Sequence, residues 1–240
     1  MTARIERVVT EGVVDIDGVE HEVENNTWIL GDDEEVIVID PARDAERIME
    51  KVGKREVLAV ICTHGLPDHV GAAIEIALRD EAVVALHPKD RPLWRQTWPE
   101  TWPDIDMEDE GVFAVADVEL EVMSTPGVTH GGVSLYCESL DAVFTGKTLQ
   151  ADGPGKIGEE YPALADQLTA IGGRLFTLRH STRVLPAHGE ETTIGALEPH
   201  FDAWLSGSLT RGPGEQEAAS ESPLTDGTRA AGIRLNARDE

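Results

Sequence analysis

Thr63-His64-Gly65-Leu66-Pro67-Asp68-His69-Val70-Gly71 joins an apolar strand pattern to a helical one. It follows Val57–Thr63, a continuous apolar run suited to a strand buried on both faces, and it opens a helical pattern from about Asp68 to Leu78. His64, Asp68 and His69 are donor types for a divalent metal, crowded into one turn. Leu66 between them donates nothing.

Three further segments repeat the placement of chemistry at a strand end. Ser124-Thr125-Pro126-Gly127-Val128-Thr129-His130-Gly131 follows the strand pattern of Val118–Met123. Phe144-Thr145-Gly146-Lys147-Thr148-Leu149 ends the run Ala142–Thr145, and Leu185-Pro186-Ala187-His188-Gly189 ends Arg183–Pro186. Around them β and α signals alternate. Strands are expected at Ile5–Val9, Thr27–Leu30, Val36–Asp40, Ala82–Leu86, Val112–Ala116 and Val133–Cys137. Helices are expected at Ala42–Val52, from about Tyr161 to Leu178, and at Ile194–Leu205. Mixed sheets with helices outside, in two similar halves, predict an α/β fold of four layers, an αββα sandwich over residues 1–205. Residues 206–240, rich in Gly, Ser, Glu and Thr, read as a disordered acidic and polar tail.

Four such motifs in this order resemble the metallo-β-lactamase superfamily, particularly its small thioesterase-like members related to hydroxyacylglutathione hydrolase. The resemblance spans roughly residues 4–205. It implies two metals, usually zinc, and a bridging hydroxide that attacks a carbonyl or ester. It places first-metal ligands at His64, Leu66 and Val128, and second-metal ligands at Asp68, His69 and His188. The carboxylate that bridges both metals falls at Lys147. Leu66 and Val128 cannot coordinate, so the first position keeps one terminal ligand of three. Asp68, His69 and His188 suffice for one zinc, but an ammonium at 147 repels a divalent cation. The expectation is therefore no cofactor, or at most one zinc at Asp68, His69 and His188. Coordinated change to Leu, Val and Lys reads as loss of metal, by drift or by engineering.

Lys147 suggests its own chemistry. Its amine can pair with Asp68 in place of the metal, and against the apolar Leu66 and Val128 it can serve as general base or Schiff-base nucleophile. Lys147 and Asp68 are thus the catalytic candidates. Leu66, Val128, His130, Trp94 and Trp98 are the candidates to line a small-molecule pocket, the tryptophans lying in a segment whose Pro92, Pro99 and Pro103 forbid one continuous helix. Asp40 matches a family aspartate that supports the site. The functional reading is a hydrolase-like protein with an impaired dizinc centre that keeps its pocket. The alternatives are a mononuclear zinc hydrolase of esters, thioesters or lactones, and a metal-independent Lys147-dependent catalyst. Longer members carry a helical C-terminal domain that grips glutathione; with a short helix and a polar stretch after His188, glutathione thioester specificity is not expected here.

Composition narrows the partners. With 46 acidic against 20 basic residues the formal net charge is −26, which repels nucleic-acid phosphates and anionic lipid. A small molecule is the expected ligand. Cys62 and Cys137 read as reduced thiols, the amino-terminal segment lacks the apolar core of a signal peptide, and a cytoplasmic location is expected. Oligomeric state is not legible.

Overall fold

The computed structural model describes residues 2–16, 19–157 and 162–207. Residues 208–240, which carry most of the expected tail, lie outside the described residues. The chain opens with β1 (Arg4–Ile16), β2 (Val19–Gly31) and β3 (Glu35–Ile39). Helix α1 (Ala45–Val52) leads to β4 (Glu56–Ile61), then to α2 (Pro67–Val70) and α3 (Ala73–Asp80). Next come β5 (Val83–Leu86), α4 (Arg91–Thr97) and β6 (Ile105–Asp106). The second half runs through β7 (Val112–Val115), β8 (Val118–Ser124), β9 (Val133–Cys137) and β10 (Ala142–Gly146). A small ribbon of β11 (Leu149–Gln150) and β12 (Gly153–Pro154) precedes α5 (Leu164–Gly173), β13 (Arg183–Pro186) and β14 (Thr192–Thr193). Helices α6 (Ile194–Leu197) and α7 (Phe201–Leu205) close the described fold.

Two six-stranded sheets form, in the orders β1-β2-β3-β4-β5-β6 and β14-β13-β10-β9-β8-β7. Their inner faces share one apolar core: Trp28, Leu30, Ile39 and Ile61 of the first sheet meet Leu120, Leu135, Phe144 and Leu185 of the second. Ile48, Ile76 and Trp94 from α1, α3 and α4 cover the outer face of the first sheet. Leu168, Ile171 and Trp204 from α5 and α7 cover that of the second. Helix, sheet, sheet, helix is the expected αββα order, and each interface buries the apolar face that the neighbouring layer cannot expose to water.

Several boundaries differ from the sequence expectation for local reasons. Ile5–Val9 and Thr27–Leu30 prove to be the inner ends of two thirteen-residue strands, paired in register from Arg4↔Gly31 to Ile16↔Val19. The outer stretch continues the same antiparallel ladder from Thr10↔Asn25 to Ile16↔Val19. The helix expected over Asp68–Leu78 divides at Gly71–Ala72, because Ala72 N–H donates to the Pro41 carbonyl (3.0 Å) instead of continuing the helical ladder. A side chain at Gly71 would sit 2.4 Å from the Ala42 carbonyl oxygen, so this crossing needs glycine. The expected helix at 194–205 is likewise broken by a 3-10 turn at Glu198–His200, where Pro199 sits. Among the described residues, no helix is long and apolar enough to cross a membrane.

Candidate functional site

The motif residues all lie just beyond the carboxyl ends of strands. Asp40 follows β3, Thr63 and His64 follow β4, Thr125 follows β8, Lys147 follows β10, and His188 follows β13. β3 with β4, and β10 with β13, are parallel pairs, so their ends point the same way. Residues far apart in sequence are thereby gathered on one edge of the sandwich.

Asp40 anchors the floor. It is buried, its backbone is left-handed at φ 51°, and its carboxylate accepts from Thr63 N–H and from Thr63 Oγ1–H, both at 2.7 Å. Burial pushes this carboxyl upward, against the lowering influence of His69 and the two Thr63 bonds. Because the Thr63 hydroxyl spends its hydrogen on Asp40, its oxygen accepts from His64 Nδ1 at 2.8 Å. His64 therefore carries its proton on Nδ1, and its Nε2 is a lone pair, buried and without a partner. Desolvation, with the charges of His69 and Lys147, drives its pKa well below the ordinary imidazole value. Gly146 completes this corner at φ 52°, where a Cβ would stand 2.2 Å from Thr63 Oγ1.

The second cluster is a row of four side chains. His188 Nδ1 donates to the Glu24 carbonyl (2.8 Å), which leaves His188 Nε2 as acceptor for His69 Nε2–H at 2.9 Å. His69 Nε2 also lies 3.4 Å from Asp68 Oδ2, and Lys147 Nζ lies 3.6 Å from that same oxygen. Burial pushes the Asp68 carboxyl up, but the adjacent His69 and Lys147 overcome it and hold the group far below the usual carboxylate range. Burial, reinforced by His69 and Lys147, takes His188 down to about 3.

Sequence reasoning missed the residues that hold these loops. Asp90, 1% exposed, accepts from Gly65 N–H at 2.9 Å and Gly131 N–H at 2.7 Å, and so ties the His64 loop to the loop that carries Val128. No local pattern announces contacts across 25 and 41 positions. Asn25 donates to the Asp68 carbonyl, and Asn26 donates to the Pro186 and Gly189 carbonyls. Here a signal existed, since two adjacent asparagines are out of place in a strand.

The pocket candidates separate. Val128 is buried and lines a small cavity with Thr63, His64, Thr129 and Lys147. Leu66 is partly buried, and His130 is exposed; neither lines that cavity. Trp94 is fully buried in the helix-covered core and donates Nε1–H to the Thr101 carbonyl at 2.7 Å, so it has no surface for a ligand. Trp98 packs beside it and donates to the Val70 carbonyl. The exposed member of that aromatic series is Trp102, flanked by Arg91 and Arg95.

Among the described residues, two donor groupings are close enough to hold a cation: Asp68 with His69 and His188, and Asp40 with His64 and His69, each with ligand atoms within 4.8 Å of one another. In the second, both Asp40 oxygens already serve Thr63. In the first, the donor types suit one divalent ion, with Lys147 Nζ beside the carboxylate.

The sequence pattern of the metallo-beta-lactamase superfamily matches residues 22–188. This chain belongs to that superfamily. Among relatives, the probable metallo-hydrolase YqgX of Bacillus subtilis is 29% identical over 189 residues, covering 72% of this chain and 88% of that protein. The hydroxyacylglutathione hydrolase GloC of Haemophilus influenzae is 26% identical over 187 residues, with 72% and 88% covered. The solved structure of TTHA1623 in a di-iron-bound form superposes with a TM-score of 0.64 at 27% identity, covering 72% of this chain and 92% of that one. The αββα sandwich is thus that of the metallo-beta-lactamase fold.

Proposed function

We propose that this chain is a hydrolase-like member of the superfamily whose metal-ligand set no longer supports two-metal hydrolysis, and which keeps a site for a small molecule. The observation that carries this reading is Lys147 Nζ, 3.6 Å from Asp68 Oδ2, where the family resemblance puts a bridging carboxylate. Leu66 and Val128, at two further ligand positions by the same resemblance, leave His64 as the sole first-metal donor of three. An ammonium satisfies Asp68 as a cation would, but it brings neither Lewis acidity nor a bound hydroxide. The relatives' names, a probable metallo-hydrolase and a hydroxyacylglutathione hydrolase, together with a di-iron neighbour, support descent from a hydrolase of small-molecule substrates.

A second reading has its own observation. Asp68, His69 and His188 lie close enough to hold one zinc or iron if Lys147 swings aside, which would supply a Lewis acid for ester, thioester or lactone hydrolysis. In the third reading, Lys147 itself is the base or Schiff-base nucleophile beside Asp68.

Elemental analysis of full-length protein purified without chelator separates these readings. Two metals per chain would overturn the proposal. One metal per chain, with hydrolysis that disappears on chelation and returns with zinc, would establish the mononuclear alternative. Borohydride trapping of a carbonyl substrate on Lys147 would establish the third. The charge of −26 supports a neutral or cationic small molecule over nucleic acid, and two buried unpaired thiols, Cys62 and Cys137, support a cytoplasmic location.

A further inference from the structure

The cavity beside Lys147 measures about 10 Å³, enough for the centre of a single oxygen atom. Two polar atoms of its lining residues have no hydrogen-bond partner: His64 Nε2 and Thr129 Oγ1, on side chains only 3% and 7% exposed. Unpartnered polar atoms at this depth are costly, about 1–3 kcal/mol each, so their presence together in one cavity points to a ligand. Lys147 also lines the cavity, its Nζ lying 3.6 Å from Asp68 Oδ2, and Val128 and Val133 supply an apolar wall.

The hydrogen-bond directions decide the ligand's chemistry. The chain from His64 through Thr63 to Asp40 fixes His64 Nε2 as an acceptor. A carboxylate or phosphate oxygen has no hydrogen to give it. An ammonium group or a metal ion would face the like charge of Lys147. An oxygen that both donates and accepts suits the two unpartnered atoms, donating to His64 Nε2 and accepting from Thr129 Oγ1–H. We propose that this cavity, at the place of the family's first metal, is a subsite for one neutral hydroxyl: a water in the free protein, displaced by the alcohol hydroxyl of a small-molecule ligand. This deepens the proposed function and rests on its reading that the first-metal position, with Leu66 and Val128 in place of donors, no longer holds a metal.

The test combines crystallography and NMR on the full chain, with methanol as the alcohol probe and formate as the anionic control. Diffraction data across the zinc and iron edges should show a non-anomalous oxygen within about 3.2 Å of both His64 Nε2 and Thr129 Oγ1. That oxygen should be lost in Thr129→Val, an isosteric change, and return in Thr129→Ser. Nitrogen-15 spectra should show His64 protonated on Nδ1. Methanol should shift the His64 and Thr129 signals saturably in the wild type and at least tenfold more weakly in Thr129→Val. An empty cavity, a proton on His64 Nε2, an oxygen that survives Thr129→Val, or formate binding tighter than methanol would overturn the subsite. A bound water with no saturable methanol response would overturn its ligand role. An anomalous peak among Asp68, His69 and His188 with the oxygen still present would overturn the proposed function alone; an empty cavity without any metal would overturn the subsite alone.

Discussion

Replacing Lys147 with methionine, which keeps the length and removes the charge, separates a structural ammonium from a displaced metal. At 3.6 Å, and with an effective dielectric constant of about 20, opposite unit charges attract by about 4–5 kcal/mol. The two side chains are 13% and 15% exposed, so desolvation cancels part of that attraction. His69, 3.4 Å from the same oxygen, remains as a partial substitute. The expected loss of stability in chelator is therefore about 2 kcal/mol, below the roughly 3–5 kcal/mol of breaking a fully buried pair. The zinc term has the opposite sign. At similar range and dielectric, an ammonium repels a divalent ion by roughly 8 kcal/mol, and a quarter of that surviving screening already gives about 2 kcal/mol, or some thirtyfold in affinity. Lys147→Met should then unfold at lower urea in chelator, recover with zinc, and bind zinc at least about thirtyfold more tightly than wild type by calorimetry. Equal zinc affinity in the two proteins would show that Lys147 does not exclude a metal, and unchanged metal-free stability in the variant would show that it does not pair with Asp68.

Other outcomes follow from the same geometry. Asp90→Asn turns one of two acceptors into a donor facing a buried N–H, and should cost about 2–4 kcal/mol; urea unfolding measures it, and unchanged exchange protection of the Gly65 and Gly131 amides would count against the clamp. His188 has its folded pKa depressed to about 3, so the unfolded chain binds more protons between that value and 6.5. Stability in chelator should therefore be complete above pH 6.5 and fall with decreasing pH, by about 2 kcal/mol on reaching pH 5. The fall should flatten in His188→Gln, and an equally steep profile in that variant would remove His188 as its source. The triple variant Leu66→His, Val128→His and Lys147→Asp restores every ligand position that the family resemblance names; elemental analysis should find two metals per chain, whereas Leu66→His with Lys147→Asp should recover metal only in part. Failure of the triple variant to take up metal while folded would mean that the scaffold has moved beyond its side chains.

The sequence alone determined the frame and named the candidates for the site. Buried strands such as Val57–Thr63 show as apolar runs because both faces must shed water, and glycine, proline and donor residues mark their ends because the chain turns there. The family resemblance named Asp68, His69, Lys147 and His188 as candidates, and the structure brings those four side chains together. Tertiary structure decided what local pattern does not encode. Trp94 had a pocket-like setting in sequence, but α4 turns it into the core. The Asp90 clamp and the reach of Asn25 and Asn26 are contacts between distant segments, visible only once the sheets are stacked. The direction of each hydrogen bond was likewise decided there: a neutral imidazole can protonate either nitrogen, and only Asp40 behind Thr63, and Glu24 behind His188, fix which one carries the proton.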